Sequence, residues 1–338
     1  MQTTKNATEP SVAVANRRRF ISIGAATGLA SAVPWAFAQD GYPKQPIRIV
    51  VPFAAGSGTD AVARITAQML GEALKGSVIV DNKAGANGVI GAEAVAKAPP
   101  DGYTLFMTTN TTHSANPSLM KSLPYDPVKD FVPVAALGKG GQIMVVNPSF
   151  PAKSVAEFIA LAKKEPGKYS FGSGSSSSRM AGELLQQMAD IRLLHVPYKS
   201  NTLAVTDLLG GQIHMMITDT ATGLPQVKAG KLRALGVSGA QRSPLAPDVP
   251  TIAEAGVKGY EMGYWFAAYA PAKTPPAVVK RLNELLVKAA RSEAAKTAFY
   301  EPTGTEVFTS TPEELAKFQA AESQKWGRIV KAAGIEAE

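Results

Sequence analysis

From Pro46 onward the sequence repeats one unit: a short β-branched run, a loop of small residues and an amphipathic helical pattern. The run Ile47–Val51 is typical of a buried strand, and residues 60–74 place their apolar side chains on one helical stripe. The unit recurs, with strands predicted at 77–81 and 103–108 and a helix between them at 87–98. Parallel strands need such crossover helices, so the alternation predicts an α/β protein whose parallel sheets are covered by helices.

A second series of strands and helices begins at residues 142–146. The helices predicted after Pro275-Pro276 and after Thr311 have no strands of their own, so we expect them to pack on the first lobe. The second series is then an insertion, and the chain crosses between two lobes near Leu137 and near Tyr264, which forms a hinge. The predicted divisions are a leader at 1–38, the first part of lobe 1 at 39–139, an inserted lobe 2 at 140–262, and the completion of lobe 1 with the C-terminal helices at 263–338.

Residues 1–38 have the composition of an export leader: arginines at 17–19, an apolar run, and Ala36 and Ala38 before Gln39. This predicts a signal peptide cleaved near Gln39 and a periplasmic mature protein. The arginine cluster favours the twin-arginine type, with a Sec signal as the alternative. The leader carries four basic residues and one acidic residue, so its removal lowers the net charge from +8 to +5, too dilute a charge for nucleic-acid binding. The absence of cysteine excludes disulfides, thiolate metal sites and thiol lipidation.

Two loops of small residues, at 52–60 and at 172–178, each follow a predicted strand and precede a helix. Neither loop carries a lysine or arginine, but each exposes backbone N–H groups at the start of a helix, which is a site for an anion. Ligands of open α/β sheets bind at the carboxyl ends of strands, where both loops lie. We therefore expect valine at Gly56 or Gly174 to obstruct ligand binding and to leave folding nearly intact.

The first loop also fits a dinucleotide fingerprint, because Gly56, Gly58 and Ala61 have its spacing and Asp81 ends the next predicted strand. An exported nicotinamide-dependent oxidoreductase that uses the Gly56-Ser57-Gly58 loop is therefore the alternative function. No Gly-Lys-Ser/Thr follows either loop, which excludes a nucleoside-triphosphate loop.

A few side chains outside the loops have two interpretations. His113, His195 and His214 are too widely spaced to predict a metal site or histidine catalysis, although His113 follows a polar strand end and is placed to face the cleft. Asp219 directly follows a strand, where it either caps the next helix or accepts a hydrogen bond from a donor on the ligand. The aromatic residues 264–266 either line the cleft or pack in the core.

Many short motifs occur in a fixed order along the mature chain. They include Pro52-Phe53, Gly85-Ala86-Asn87-Gly88, Asp101-Gly102-Tyr103-Thr104-Leu105, Leu123-Pro124-Tyr125-Asp126, His195-Val196-Pro197-Tyr198-Lys199, Asp207-Leu208-Leu209-Gly210-Gly211-Gln212 and Asp248-Val249-Pro250-Thr251. This succession resembles the Bug family, the solute receptors of tripartite tricarboxylate transporters, over essentially the whole mature chain. The chain departs from the family at Thr218, where the family commonly has phenylalanine, and in its serine-rich tract.

The resemblance implies a two-lobed fold like that of periplasmic binding proteins, each lobe a mostly parallel sheet flanked by helices. It implies a monomeric receptor, without catalysis, cofactor or metal, that grips a small organic acid and delivers it to membrane permease subunits. The acid is a dicarboxylate, a tricarboxylate, an acidic amino acid or an aromatic acid. The residues that the resemblance assigns to ligand binding are Phe53, Ala55, Gly56, Ser57, Thr59, Asp60, Thr109, Thr111, Ser173, Gly174, Ser175, Ser178 and Asp219.

Overall fold

The computed structural model describes residues 42–332 and 334–337, so the predicted leader and its cleavage site lie outside the described residues. The elements all belong to the compact unit Pro43–Glu338. The strands are β1 (Ile47–Val51), β2 (Val78–Asn82), β3 (Thr104–Thr109), β4 (Phe131–Val146), β5 (Ser170–Ser173), β6 (Leu194–Pro197), β7 (Met215–Asp219), β8 (Arg233–Val237), β9 (Gly263–Pro271) and β10 (Glu306–Val307). The helices are α1 (Gly58–Leu74), α2 (Val89–Ala96), α3 (Asn116–Leu119), α4 (Val155–Lys164), α5 (Ser176–Ala189), α6 (Asn201–Leu209), α7 (Thr220–Lys228), α8 (Pro276–Ala290), α9 (Glu293–Ala295), α10 (Glu301–Thr303) and α11 (Pro312–Ala332).

The strands form one hydrogen-bonded series in the order β2-β1-β3-β9-β4-β7-β5-β6, with β8 and β10 also paired to β4. β1 runs parallel to β2 and β3, and β5 runs parallel to β6 and β7. β9 is antiparallel to both β3 and β4, and β4 is antiparallel to β7. The predicted two-lobed α/β fold is confirmed. The prediction of a mostly parallel sheet in each lobe is wrong, because β4, β8, β9 and β10 pair with other strands only in the antiparallel direction and make both groups of strands mixed.

Strand β4 is shared between the two groups of strands. Its residues 131–141 pair with β9, and its residues 142–146 pair with β7 and β8. The sequence predicted only the second part as a strand, because Gly138, Gly140 and Gly141 interrupt the β-branched pattern of the first part.

The C-terminal helix α11 packs on both groups. Leu315 near its start belongs to the apolar core around Phe106, whereas Trp326 near its end belongs to the core around Phe158. A helix of 21 residues is about 30 Å long, enough to span both cores. The prediction that the C-terminal helices pack on the first lobe is therefore incomplete, since α11 is a further connection beside β4 and β9. Among the described residues, no helix has both the length and the apolar content needed to cross a bilayer.

Candidate functional site

Four helices of the described chain begin around one small cavity, of about 30 Å³. Each of these helices follows the carboxyl end of a strand, where the polypeptide turns back over the sheet. Helix α1 contributes its cap and first turn, α5 its cap and first turn, α6 its first residue and α7 its cap. The cavity is lined by Phe53, Ser57, Gly58, Thr59, Thr109, Ser175, Ser177, Asn201, Asp219, Tyr264 and Phe266.

The sequence fixes these helix starts through their capping residues. In each case a serine or aspartate in an extended or near-extended conformation accepts a hydrogen bond from a backbone N–H in the first turn, which satisfies one of the unpaired donors of the helix. The caps and their donors are Ser57 with the N–H of Asp60, Ser175 with that of Ser178, Ser200 with that of Leu203, and Asp219 with that of Thr222.

The cavity presents helix N-termini to a ligand without a cationic side chain among its described lining residues. No lysine or arginine is among the described residues that line it, and Asp219 is the single charged residue of that lining. The partial positive charge at each helix N-terminus and the N–H groups of the first turns favour an anion there. The arrangement is therefore suited to binding a carboxylate through backbone groups.

Asp60 organises the first loop from beneath. Its Oδ2 accepts hydrogen bonds from the Gly56 N–H at 2.8 Å and from Arg64 Nε at 2.9 Å, and its Oδ1 accepts one from Asn82 Nδ2 at 2.9 Å. Burial opposes ionisation of Asp60, but the hydrogen bonds from Arg64, Gly56 and Asn82 outweigh it and lower the pKa of the carboxyl. Asp60 is thus engaged in holding the loop and does not line the cavity.

The serine loop packs directly on the start of α6. A Cβ on Gly174 would lie 1.8 Å from the carbonyl carbon of Ser200 and 2.1 Å from the nitrogen of Asn201. The Gly174 N–H donates to Asn201 Oδ1 at 3.0 Å, and Ser173 Oγ is hydrogen-bonded to His195 Nε2 at 2.7 Å. The expectation that valine at Gly174 leaves folding intact is wrong, because any side chain there collides with backbone.

Asp219 has its hydrogen-bonding capacity filled by the protein. Oδ1 accepts from the backbone N–H and the hydroxyl of Thr222, both at 2.8 Å. Oδ2 accepts from Asn201 Nδ2 at 3.1 Å and from the Thr218 hydroxyl at 3.3 Å. Two bonds to each oxygen use the lone pairs of a carboxylate, so the capping role is the one visible in its contacts. Gly58 lies against it, since a Cβ on Gly58 would be 2.7 Å from Asp219 Oδ1.

Successive side chains of a β-strand point to opposite faces, and the aromatic residues 264–266 of β9 follow this rule. Tyr264 and Phe266 face the cavity with ring centroids 5.0 Å apart, whereas Trp265 packs against Phe318 of α11. All three β9 residues are buried. Both interpretations of the sequence therefore apply: one face of the strand lines the cavity, and the other packs in the core.

The thirteen predicted site residues fall into two sets. Those that line the cavity are Phe53, Ser57, Thr59, Thr109, Ser175 and Asp219. Those that are not among the lining residues are Ala55, Gly56, Asp60, Thr111, Ser173, Gly174 and Ser178. Ligand contact by any of them stays a prediction.

Sequence reasoning omitted several of the lining residues from that set. Asn201 lies at the start of α6, after Ser200, and the rule that ligands bind where strands end could have found it, because β6 ends at Pro197. Ser177 lies in a run of four serines that gives no position-specific signal, and Gly58 matches the spacing of the dinucleotide fingerprint. Tyr264 and Phe266 carry no signal in the pattern that separates them from core aromatics.

His113 does not face the cleft. It is fully buried, its ring stacks on Tyr269 with centroids 3.9 Å apart, and its Nδ1 is hydrogen-bonded to the Thr112 hydroxyl at 2.9 Å. Burial lowers the pKa of His113 to about 3, so the ring is neutral at physiological pH. In the stretch that the structure describes, no three histidine, aspartate or glutamate side chains gather as metal ligands would.

The chain matches the profile described as "Tripartite tricarboxylate transporter family receptor" over residues 62–335, and it belongs to that family. Protein BugT of Bordetella pertussis (strain Tohama I) is 37% identical over 298 residues, which cover 87% of this chain and 91% of BugT. The predicted resemblance to the Bug family is confirmed.

Solved structures support the same assignment. Rpa4515 of R. palustris, described with adipate, superimposes with a TM-score of 0.85 at 34% identity and covers 88% of this chain and 100% of that one. MatC of Rhodopseudomonas palustris, described with bound malate, gives a TM-score of 0.82 at 30% identity and covers 86% and 100%. The family consists of periplasmic substrate-binding receptors of transport systems and is not a family of enzymes.

The oxidoreductase alternative finds no support in these comparisons. The structure adds a physical reason, because the carboxylate that would bind a ribose is already paired. Asp81 Oδ2 lies 3.6 Å from Arg48 Nη1 and 3.6 Å from Lys83 Nζ. The glycines of the first loop instead serve the turn into α1 and the close contact with Asp219.

Proposed function

We propose that the cavity captures one carboxylate end of a small aliphatic dicarboxylate. The observation that carries this proposal is the convergence of four helix N-termini on a cavity whose described lining has no basic side chain. The adipate and malate described with Rpa4515 and MatC support the same ligand class. A tricarboxylate, an acidic amino acid and an aromatic acid are the competing ligands.

Ligand entry requires the walls of the cavity to separate. A volume of about 30 Å³ accommodates about one or two waters, far less than a six-carbon acid. We assign the movement to lobe 1, residues 39–139 with 263–338, against lobe 2, residues 140–262, with the end of α11 moving with lobe 2, because Trp326 packs in the core around Phe158. The change of partner along β4 between residues 141 and 142 supports a pivot there. The bound acid stabilises the closed arrangement because it contacts both lobes only when they are closed.

The receptor acts outside the cytoplasm and hands its ligand to a membrane permease. Removal of residues 1–38 releases a monomer into the periplasm, and the permease subunits of a tripartite tricarboxylate-type transporter receive the acid. The motifs of the leader and membership of the receptor family support this sequence of events. Intact-mass measurement of periplasmic material tests it, with a chain that starts at Gln39 as the expected result and a retained N-terminus as the contrary one.

Calorimetry of the mature protein tests the ligand class. The panel is adipate, malate, citrate, aspartate and benzoate, with adipamide and malamide as uncharged controls. We expect binding of a dicarboxylate and none of the diamides, and a ligand at ~100 times its Kd should raise the free energy of unfolding by ~2.7 kcal/mol. Binding of a diamide as tight as that of its acid, or no dicarboxylate among the ligands, would overturn the proposal.

A matched pair of variants on α1 tests the placement of the site. Thr59 and Thr66 are both buried threonines of this helix, but only Thr59 lines the cavity. Valine has the same shape without the hydroxyl, so Thr59→Val should weaken binding of the acid by about five-fold, the value of one hydrogen bond. Thr66→Val should leave the affinity unchanged, and equal losses in both variants would place the ligand elsewhere.

A further inference from the structure

The hydroxyl of Tyr264 joins two segments that are distant in sequence. Its Oη is hydrogen-bonded to Thr220 Oγ1 at 2.7 Å and to Thr305 Oγ1 at 2.8 Å, and the backbone N–H of Ala221 also bonds to it. Thr220 is the first residue of α7, directly after Asp219 at the cavity. Thr305 immediately precedes β10, which pairs with the part of β4 that adjoins β9. A single oxygen therefore bridges the two groups of strands.

The protein backbone is shaped around this phenol. Gly140 of β4 faces Tyr264 of β9, and a Cβ on Gly140 would lie 2.6 Å from Tyr264 Oη. The hydroxyl is fully engaged, since three neighbours match its one proton and two lone pairs. Burial, together with the charge of Asp219, raises the pKa of Tyr264, so this hydroxyl keeps its proton at physiological pH.

The bridge lies between the small cavity and a large groove. Tyr264 lines the cavity, and Thr220, Tyr264 and Thr305 also line a groove of about 750 Å³. Loss of the bridge therefore leaves space into which the start of α7 and residues 303–307 can separate. The start of α7 also touches α1, because a Cβ on Gly58 would lie 2.9 Å from Ala221 Cβ. Movement of α7 would thus open the cavity wall.

We propose that the Tyr264 hydroxyl is a positioning group that holds the start of α7 against residues 303–307 and so keeps the lobes closed on the ligand. This inference rests on the proposed function of the cavity. The hydroxyl acts through the start of α7, which directly follows Asp219 at the cavity. Removing the hydroxyl should shift the population toward the open form and speed ligand release, with little effect on ligand capture.

The distance between the lobes gives a test that needs no ligand. The sequence has no cysteine, so Val128→Cys and Leu203→Cys, both at exposed positions, supply the two labels for pulsed electron spin resonance. In this background Tyr264→Phe should move the distance distribution to longer values. Tyr260→Phe is the matched control, because the Tyr260 hydroxyl is also buried but donates to Ala181 O at 2.8 Å, within lobe 2. Identical distributions for wild type and Tyr264→Phe, or an equal shift in Tyr260→Phe, would overturn the inference.

Two further measurements separate this inference from the proposed function. Thr220→Val removes one of the two bonds between α7 and the Tyr264 hydroxyl and leaves that of the Ala221 N–H, so it should shift the distances in the same direction as Tyr264→Phe but by less. The double variant should shift the distances no further than Tyr264→Phe alone. With adipate as the probe, Tyr264→Phe should raise the dissociation rate about three- to ten-fold, the value of one buried hydrogen bond. Failure of adipate to bind wild type would count against the proposed ligand class, whereas an unaltered distance distribution would count against the role of Tyr264.

Discussion

The first loop and the serine loop occupy equivalent positions, each between a strand and a helix start at the cavity, yet they are built differently. Around Gly56 the first loop is exposed and open, because the nearest atom to a Cβ there is a methyl of Thr202 at 4.0 Å. The serine loop is buried throughout, and Gly174 touches the backbone of α6. A charged carboxylate, Asp60, holds the first loop, whereas neutral groups hold the second.

The two loops need their glycines, Gly56 and Gly174, for different physical reasons. Gly56 supplies a backbone conformation, with φ at +79°, that side chains rarely adopt. Gly174 has no side chain, and this lets the loop before α5 lie directly against the start of α6. We infer that the serine loop is a fixed wall of the site and that the first loop is the part able to adjust to a ligand.

The largest expected effect is at the fixed wall. Gly174→Ala places a methyl group within the backbone of Ser200 and should destabilise the protein by roughly 4 kcal/mol or more, the range of severe core disruption. Urea unfolding, or failure to obtain folded protein, is the measurement. If the free energy of unfolding of Gly174→Ala lies within about 1 kcal/mol of that of wild type, a typical effect for a point mutation, the serine loop can move to accept the methyl group and is not a fixed wall.

Asp60→Asn should cost about 1.5–3 kcal/mol at pH 7, the value of hydrogen bonds to a charged group. The folded pKa of Asp60 is lowered, so its contribution is complete above the unfolded pKa of about 3.9 and is lost as the pH falls through the folded value. The deficit of Asp60→Asn relative to wild type should therefore shrink as the pH falls below about 3.9 toward the lowered folded pKa. Ser178→Ala is the neutral control in the other loop, since its hydroxyl donates to Ile217 O, and its deficit should stay constant. The same pH dependence of the stability deficit in both variants would contradict the conclusion that a charged group holds the first loop and neutral groups hold the serine loop.

Gly56→Ala tests the conformational role in the first loop. Alanine in the left-handed region costs roughly 1–2 kcal/mol, and no steric overlap adds to it. The variant should therefore fold and lose less stability than Gly174→Ala under the same urea titration. Equal losses of stability in Gly56→Ala and Gly174→Ala would mean that the open space around Gly56 does not make an alanine there easier to accommodate.

The smallest expected effect is at Asp219, between the two loops. This smallest effect is the one on ligand selectivity, since stability should fall: asparagine is also a good helix cap and its oxygen can still accept from Thr222, but its Nδ2 faces the Asn201 Nδ2 donor, so Asp219→Asn should cost roughly 1–3 kcal/mol. Because four protein donors fill its oxygens, the variant should change the calorimetric affinities for malate and for succinate by the same factor. A selective loss for malate, which has the additional hydroxyl, would restore the hypothesis that Asp219 recognises a donor on the ligand.

The sequence predicted the alternation of strands and helices and both loops, because these follow from local periodicity and from Ser and Asp capping. The apolar helical pattern begins only at Met180 in α5 and at Leu224 in α7, whereas these helices begin at Ser176 and at Thr220. The reason is the same in both cases. A polar first turn carries no apolar stripe, and these first turns are the parts that reach the site.

The remaining features depend on contacts between distant residues. Nothing local marks Asn201 as the partner of Gly174, 27 positions earlier, or Tyr264 as the partner of Thr305. The predicted two helix starts at the site became four, because the placement of α6 and α7 depends on strand order in the sheet. The saturation of Asp219 likewise follows from Asn201 and Thr222 and not from its position after a strand.

A crystal structure of the mature protein with a bound dicarboxylate would show directly whether the small cavity binds a carboxylate through backbone groups. We predict a carboxylate in the small cavity, with its oxygens about 2.7–3.2 Å from backbone nitrogens at the starts of α1 and α5 and without a lysine or arginine contact. The acid lying instead in the groove of about 750 Å³, among Lys139, Lys296 and Lys325, would contradict it.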